Sequence, residues 1–158
     1  VDKIKRIIPG CSISQDMITG FPTETEEDHK DTLSLMEYVE YDFGYMFAYS
    51  ERPGTLAARK MEDDVPEADK MRRLQEVVDL QQELSAKRTA RFKDQIVEVL
   101  IEKESKKSDK HWSGRNSENV VTVFPKENYK PGDFVLVKVA DCTTATLIGE
   151  AIGYSEMN

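Results

Sequence analysis

The apolar pattern of this chain changes period near Phe92, from helical steps to strict alternation, and no single layer of one secondary structure satisfies both. Before that point Ile4, Ile7 and Ile8 recur at helical spacing, as do Leu33, Met36 and Val39, and then Met71, Leu74, Val78 and Leu84. After it Val97, Val99 and Ile101 alternate with polar residues, followed by Val121 and Val123, by Val135, Val137 and Val139, and by a run from Thr144 to Ile152. The expected class is therefore α/β followed by all-β. Residues 1–92 form one domain that ends in a linking helix, and 93–158 form a small five-stranded antiparallel β-barrel.

Within the first domain, Pro9-Gly10 closes the opening helix and Cys11–Thr19 reads as a strand. One face carries Ser12, Ser14, Asp16 and Ile18, the other Ile13, Gln15, Met17 and Thr19. Neither is wholly apolar, which suits a strand lining a cavity. Gly20-Phe21-Pro22 breaks it. Thr25 then has the form of a helix N-cap, with Glu26, Glu27 and Asp28 at the positive end of the helix dipole. Phe43–Ser50 alternates again, so strand, helix and strand with short joints predict a parallel βαβ unit. Residues 50–65 are expected to be a loop with a type II turn at Arg52-Pro53-Gly54-Thr55, and Pro66 to open a helix running to about Arg91.

The formal charge of −8 argues against nucleic-acid binding through the whole surface, although local basic patches remain open. Two cysteines, Cys11 and Cys142, stand too far apart for a thiol-rich metal site or a disulfide framework, and both read as small buried apolar residues. They fit a reducing, cytoplasmic compartment. No uncharged apolar run is long enough to span a bilayer, so no membrane partner is expected. The chain opens on Val1 in mid-pattern and reads as an excised piece of a longer protein.

Three stretches in series resemble the radical-SAM methylthiotransferase family. They are Ser14-Gln15-Asp16-Met17-Ile18-Thr19-Gly20-Phe21-Pro22-Thr23-Glu24-Thr25-Glu26-Glu27-Asp28, then Phe47-Ala48-Tyr49-Ser50-Glu51-Arg52-Pro53-Gly54-Thr55 with Ala57-Ala58, then a barrel with Gly114-Arg115-Asn116 and Gly132-Asp133. The last is similar to the TRAM domain, an OB-like RNA-binding module. The resemblance implies that residues 1–92 are the end of a partial TIM-like radical-SAM barrel. It implies a parent enzyme that methylthiolates C2 of N6-isopentenyladenosine beside the anticodon, with the anticodon stem-loop of tRNA as partner. The alternatives are threonylcarbamoyl-adenosine tRNA, a ribosomal protein, or a non-catalytic RNA-binding role. S-adenosylmethionine and two [4Fe-4S] clusters would serve the parent, and neither would be fully bound here. The cluster cysteines are not among these residues and would lie upstream of Val1, so this polypeptide alone should be inactive.

The same resemblance assigns Ser14, Asp16, Gly20 and Glu24 to the cofactor wall, where the ends of parallel strands bind ligands. A competing account makes Glu24 part of a turn before a capped helix. Tyr49, Ser50 and Arg52 would face substrate, Arg52 as a bidentate anion clamp and Tyr49 as a stacking ring, against the alternative of an ordinary exposed turn. Lys106, Lys107, Lys110, Trp112 and Arg115 combine cations with an aromatic, as RNA-contacting surfaces do. Their alternative is a solvated hairpin turn with Trp112 packed on the barrel. A barrel that lacks its upstream strand also predicts self-association through an open edge.

Overall fold

A computed structural model describes residues 1–156, so the last two positions of the expected second domain lie outside the described residues. The chain divides into two compact units: Ile13–Ser85 with Val1, and Ala86 onward with Asp2–Ser12.

The first unit is a βαβ arrangement closed by a long helix. Strand β1 (Ser14–Thr19) pairs in parallel with β2 (Phe43–Ala48), and helix α2 (Glu26–Val39) makes the crossover. Helix α1 (Asp2–Ile7) precedes them in sequence and belongs to the second unit. Helix α2 starts where the sequence places it: Thr25 accepts from the Asp28 amide, and the Asp28 carboxylate accepts from the Thr25 amide. This reciprocal cap satisfies two amides that the first helical turn leaves without partners. The helix ends at Glu40, which takes a left-handed conformation at φ 53°. Gln15, Met17 and Thr19 face inward beneath Met36, Val77 and Leu84, with Met46 alongside from β2.

Residues 50–65 are not wholly a loop. The turn forms as expected, with Gly54 at φ 87° and the Thr55 amide bonded to the Arg52 carbonyl. A short helix α3 (Leu56–Lys60) follows, because the Thr55 hydroxyl caps the Ala58 amide ahead of five residues that favour helix.

Helix α4 (Glu67–Ala90) corrects the expected apolar stripe. Met71 is half exposed, and Val77 rather than Val78 is fully buried. The buried face runs through Lys70, Arg73, Val77, Gln81, Leu84 and Ser85, so most of it is polar. It stays buried because most of its polar atoms are satisfied: Gln81 donates to the Tyr41 carbonyl and to Ser85, Ser85 donates to the Asp42 carbonyl, and of the Arg73 guanidinium only Nε lacks a partner among the described residues.

The second unit is five strands: β3 (Ile96–Ser105), β4 (Ser108–Asn116), β5 (Val121–Pro125), β6 (Phe134–Cys142) and β7 (Thr146–Tyr154). The ring of pairings closes in the order β3-β4-β5-β7-β6. It is not wholly antiparallel, since β5 and β7 run parallel. Strand β6, which follows β5 in the chain, pairs antiparallel with β7 on its other side, so β7 returns beside β5 in the same direction. The core holds Val97, Val99, Ile101, Phe124, Val135, Val137, Val139 and Leu147; in β5 the sides are reversed from expectation, since Thr122 and Phe124 are buried and Val121 and Val123 face outward. Lys103–Arg115 is two strands around a two-residue turn, Lys106-Lys107, rather than one long turn. Its outward residues are so polar that alternation is hard to see in the sequence. Gly114 sits where a Cβ would lie 2.1 Å from the Leu100 carbonyl oxygen, so the close approach of β4 to β3 depends on that glycine. The two cysteines are half-buried, and Cys142 packs against the barrel core. No described helix is long and apolar enough to cross a membrane.

Candidate functional site

In the first unit the outward face of the paired strands is open. Ser14, Asp16 and Ile18 of β1 stand opposite Phe43, Tyr45 and Phe47 of β2 in register. Ser14 and Asp16 are exposed, and Ile18, Tyr45 and Phe47 are each more than half exposed. An acid between large unburied apolar groups is unusual on a sheet surface that faces only water.

At the strand ends, by contrast, Gly20 and Glu24 are engaged within the chain. The Gly20 amide donates to Glu24 Oε2 at 2.9 Å, and Arg73 Nη1 donates to Glu24 Oε1 at 2.9 Å and to the Glu24 carbonyl at 3.0 Å. Gly20 is buried at φ 71°, and a Cβ there would lie 2.3 Å from Lys70 Cγ. The Lys70 stem on α4 fills the space a Cβ would need, so packing alone already requires glycine here. Lys70 is itself buried. Its Nζ bonds Asp63 at 2.6 Å and lies 5.5 Å from the centre of the Tyr49 ring. Tyr49 also meets Phe21 edge-on at 5.1 Å, and its amide donates to the Thr19 carbonyl. Tyr49 is therefore fixed, whereas Ser50 and Arg52 stand exposed beyond it, with no partner for the Arg52 guanidinium among the described residues.

A network that sequence reading missed anchors this region. Arg72 bonds Glu26 at 2.6 Å and Glu76 at 2.8 Å, and buried His29 lies with Nε2 2.7 Å from Glu76. The hydrogen bond from His29, then that from Arg72, holds the Glu76 carboxyl below the ordinary carboxylate value. The hydrogen bond from Arg72 does the same to Glu26, and the Thr25 hydroxyl and amide do so to Asp28. The signal was available only as acids at the start of α2 and cations early in α4, far apart in sequence.

In the second unit a cleft of about 530 Å³ opens on the outer face of β4, β5 and β7. Lys106, Lys107 and Arg115 line it together with Lys103 and His111. Four of the eight Lys and Arg residues between 94 and 158 thus converge on one cleft, against a single acid, Glu102. Arg115 is braced there by Asn119 at 2.9 Å and by Glu102 at 3.5 Å. Lys110 and Trp112 do not line the cleft. Trp112 packs on the barrel core, donates its indole N–H to the Tyr129 carbonyl at 3.1 Å, and carries Lys126 over its ring at 4.4 Å. Lys126 in turn pairs with Glu104.

Among the described residues no three His, Cys, Asp or Glu side chains gather as a metal site. Two separated cysteines do not meet the thiolate requirement of an iron–sulfur cluster, so these residues do not fit that group.

Residues 90–152 match the family model of the TRAM domain. Over all 158 residues the chain is 71% identical to the tRNA-2-methylthio-N(6)-dimethylallyladenosine synthase of Christiangramia forsetii and 66% identical to that of Flavobacterium psychrophilum. Over 94% of its length it is 50% identical to the enzyme of the same name from Parabacteroides distasonis. In each case it spans 33% of the relative, so the chain covers about one third of the length of the proteins it matches.

Proposed function

We propose that the chain is part of a tRNA methylthiotransferase, since it is 71% and 66% identical over its whole length to about one third of two tRNA-2-methylthio-N(6)-dimethylallyladenosine synthases, and that it supplies the substrate mouth and tRNA-holding domain of such an enzyme. The observation that carries this reading is the convergence of Lys103, Lys106, Lys107 and Arg115 on one cleft of the TRAM barrel in a chain whose net charge is −8. Phosphates of an anticodon stem-loop are drawn to such a local patch even where the remaining surface repels them.

The βαβ unit is the end of a partial TIM-like barrel, and its open face of Ser14, Asp16, Tyr45 and Phe47 is turned toward the reaction. S-adenosylmethionine and iron–sulfur clusters, when bound by the longer protein, supply the radical and methylthio chemistry. Asp16 and Ser14 offer hydrogen-bonding groups to the polar part of the cofactor. Glu24 and Gly20 shape that wall indirectly, through Arg73 and Lys70. Arg52 presents its guanidinium to a phosphate, and the fixed Tyr49 ring sets where that loop begins. The cluster thiolates belong to the part of the longer relatives that this chain does not span, so the chain by itself is inactive. The functional division is placed at residue 92, where the linking helix gives way to the barrel strands, a few residues past the boundary of the two compact units. The whole enzyme works in the cytoplasm, and the isolated chain self-associates through the open edges of β1 and β2.

The test uses the full-length protein as the only copy in a cell whose tRNA carries isopentenyladenosine. Mass spectrometry of tRNA nucleosides should find the methylthio derivative reduced at least tenfold by Arg52→Gln, at unchanged protein level. An unchanged yield removes Arg52 from the substrate mouth. Absence of the derivative with the wild-type protein overturns the activity.

A further inference from the structure

The barrel cleft is not only cationic. Its outer face is built as two rows that cross the strands in register. In one row Lys103 of β3 stands opposite Ser113 of β4, Ser113 opposite Val123 of β5, and Val123 opposite Ile148 of β7. In the next, Arg115 of β4 stands opposite Val121, and Val121 opposite Thr146. Each row therefore begins with a cation and passes to an aliphatic side chain on β5, Val123 or Val121, which meets Ile148 in the first row and Thr146 in the second across the β5–β7 seam. Neighbouring strands are about 4.8 Å apart, so Lys103 and Val123 are separated by roughly 10 Å across two spacings. The irregular register of β3 between Ile101 and Lys103, and again between Glu104 and Ser105, bends the β3–β4 hairpin and gives the cleft a wall. On that wall His111 Nδ1 lies 2.8 Å from the Ser108 hydroxyl.

A surface meant only for a phosphate backbone needs cations and polar donors. It has no use for Val121, Val123 and Ile148, the last 43% exposed, on the floor beside them. We infer that this cleft is a subsite for one unstacked nucleotide, whose base lies on the Val121, Val123 and Ile148 floor while its phosphates meet Lys103, Lys107 and Arg115. The inference rests on the tRNA-holding role proposed above and adds that the strand is single at this point. Charge complementarity selects the occupant: four cations and one acid rim an apolar floor, which matches an anion with a flat apolar face. Aliphatic floors place a base without reading its edges, so the subsite tolerates any base.

The experiment measures fluorescence anisotropy of the full 158-residue chain at low salt with three probes compared per phosphate: a single-stranded RNA hexamer, the same hexamer with abasic sugars, which has the same charge, and a stable hairpin duplex. The base-bearing hexamer should bind about fivefold or more tighter than the abasic one, and tighter than the duplex. Ile148→Ser should reduce that ratio to below about twofold with the salt dependence unchanged, whereas a Lys106→Gln, Lys107→Gln double variant should weaken hexamer and abasic probe alike and flatten the salt dependence. Equal binding of base-bearing and abasic hexamers by the wild-type chain, or preference for the duplex, overturns the subsite while leaving the tRNA-holding role intact. No binding of any probe overturns both. The wild-type comparison does not depend on any variant folding.

Discussion

At Gly20 the Lys70 stem fills the place that a side chain would need. A methyl group at Gly20 meets the Lys70 stem, and the left-handed backbone penalises it further. Gly20→Ala should destabilise the first unit by about 2–4 kcal/mol, from conformational strain plus overpacking. Adding Lys70→Ala should recover part of that loss in urea melts, and no recovery would mean that the contact is not the cause. Arg73 and Glu24 form a pair with side chains only 7% and 15% exposed. Arg73→Met strands the Glu24 carboxylate and should cost about 3 kcal/mol, because removing one partner of a buried pair leaves the other charge uncompensated. A loss below about 1 kcal/mol would place that pair on the surface.

Among the elements, the α2 start was legible because capping is local: Thr25 and Asp28 are three residues apart and bond each other. Core strands such as Val135–Val139 were legible because strict alternation has one physical cause, a sheet with one buried face. The buried face of α4 was not. Its Lys70, Arg73, Gln81 and Ser85 are compatible with burial only through partners 40 or more residues away, or in the loop beside them, and periodicity carries no record of partners. Strand β4 was hidden for a similar reason, since only Trp112, Gly114 and Asn116 mark its inner side. In the candidate sites, the cations of the cleft were visible as a cluster. Its floor was not, because Val123 and Ile148 lie in different runs that only the β5–β7 seam joins.

The α2–α4 network also sets a pH dependence. Glu76, Glu26 and Asp28 all have folded-state values lowered by hydrogen-bonded partners, so they add stability that is complete above about pH 4.5 and is lost as pH falls through the lowered values. Urea midpoints should hold from pH 7 to 5 and fall below pH 4, and Glu76→Gln should make that fall shallower. A midpoint that rises on acidification would contradict the assignment.

For the whole molecule, the proposed function gives the two units different parts of one task. Among the described residues β1 and β2 each pair only with the other, which leaves two strand edges open. Light scattering should therefore give an apparent mass that grows with concentration for the isolated chain, and a constant monomer mass would show that these edges are protected. The barrel, whose ring of pairings closes, is the unit to which we assign the proposed tRNA-holding role. The most direct measurement of that role is the affinity of the chain for an anticodon stem-loop between 50 and 200 mM salt, with and without Lys106→Gln and Lys107→Gln. Binding should weaken steeply with salt, and the log–log slope should fall by about one for each lysine replaced. Binding that is absent at low salt, or a slope indifferent to both lysines, would contradict it.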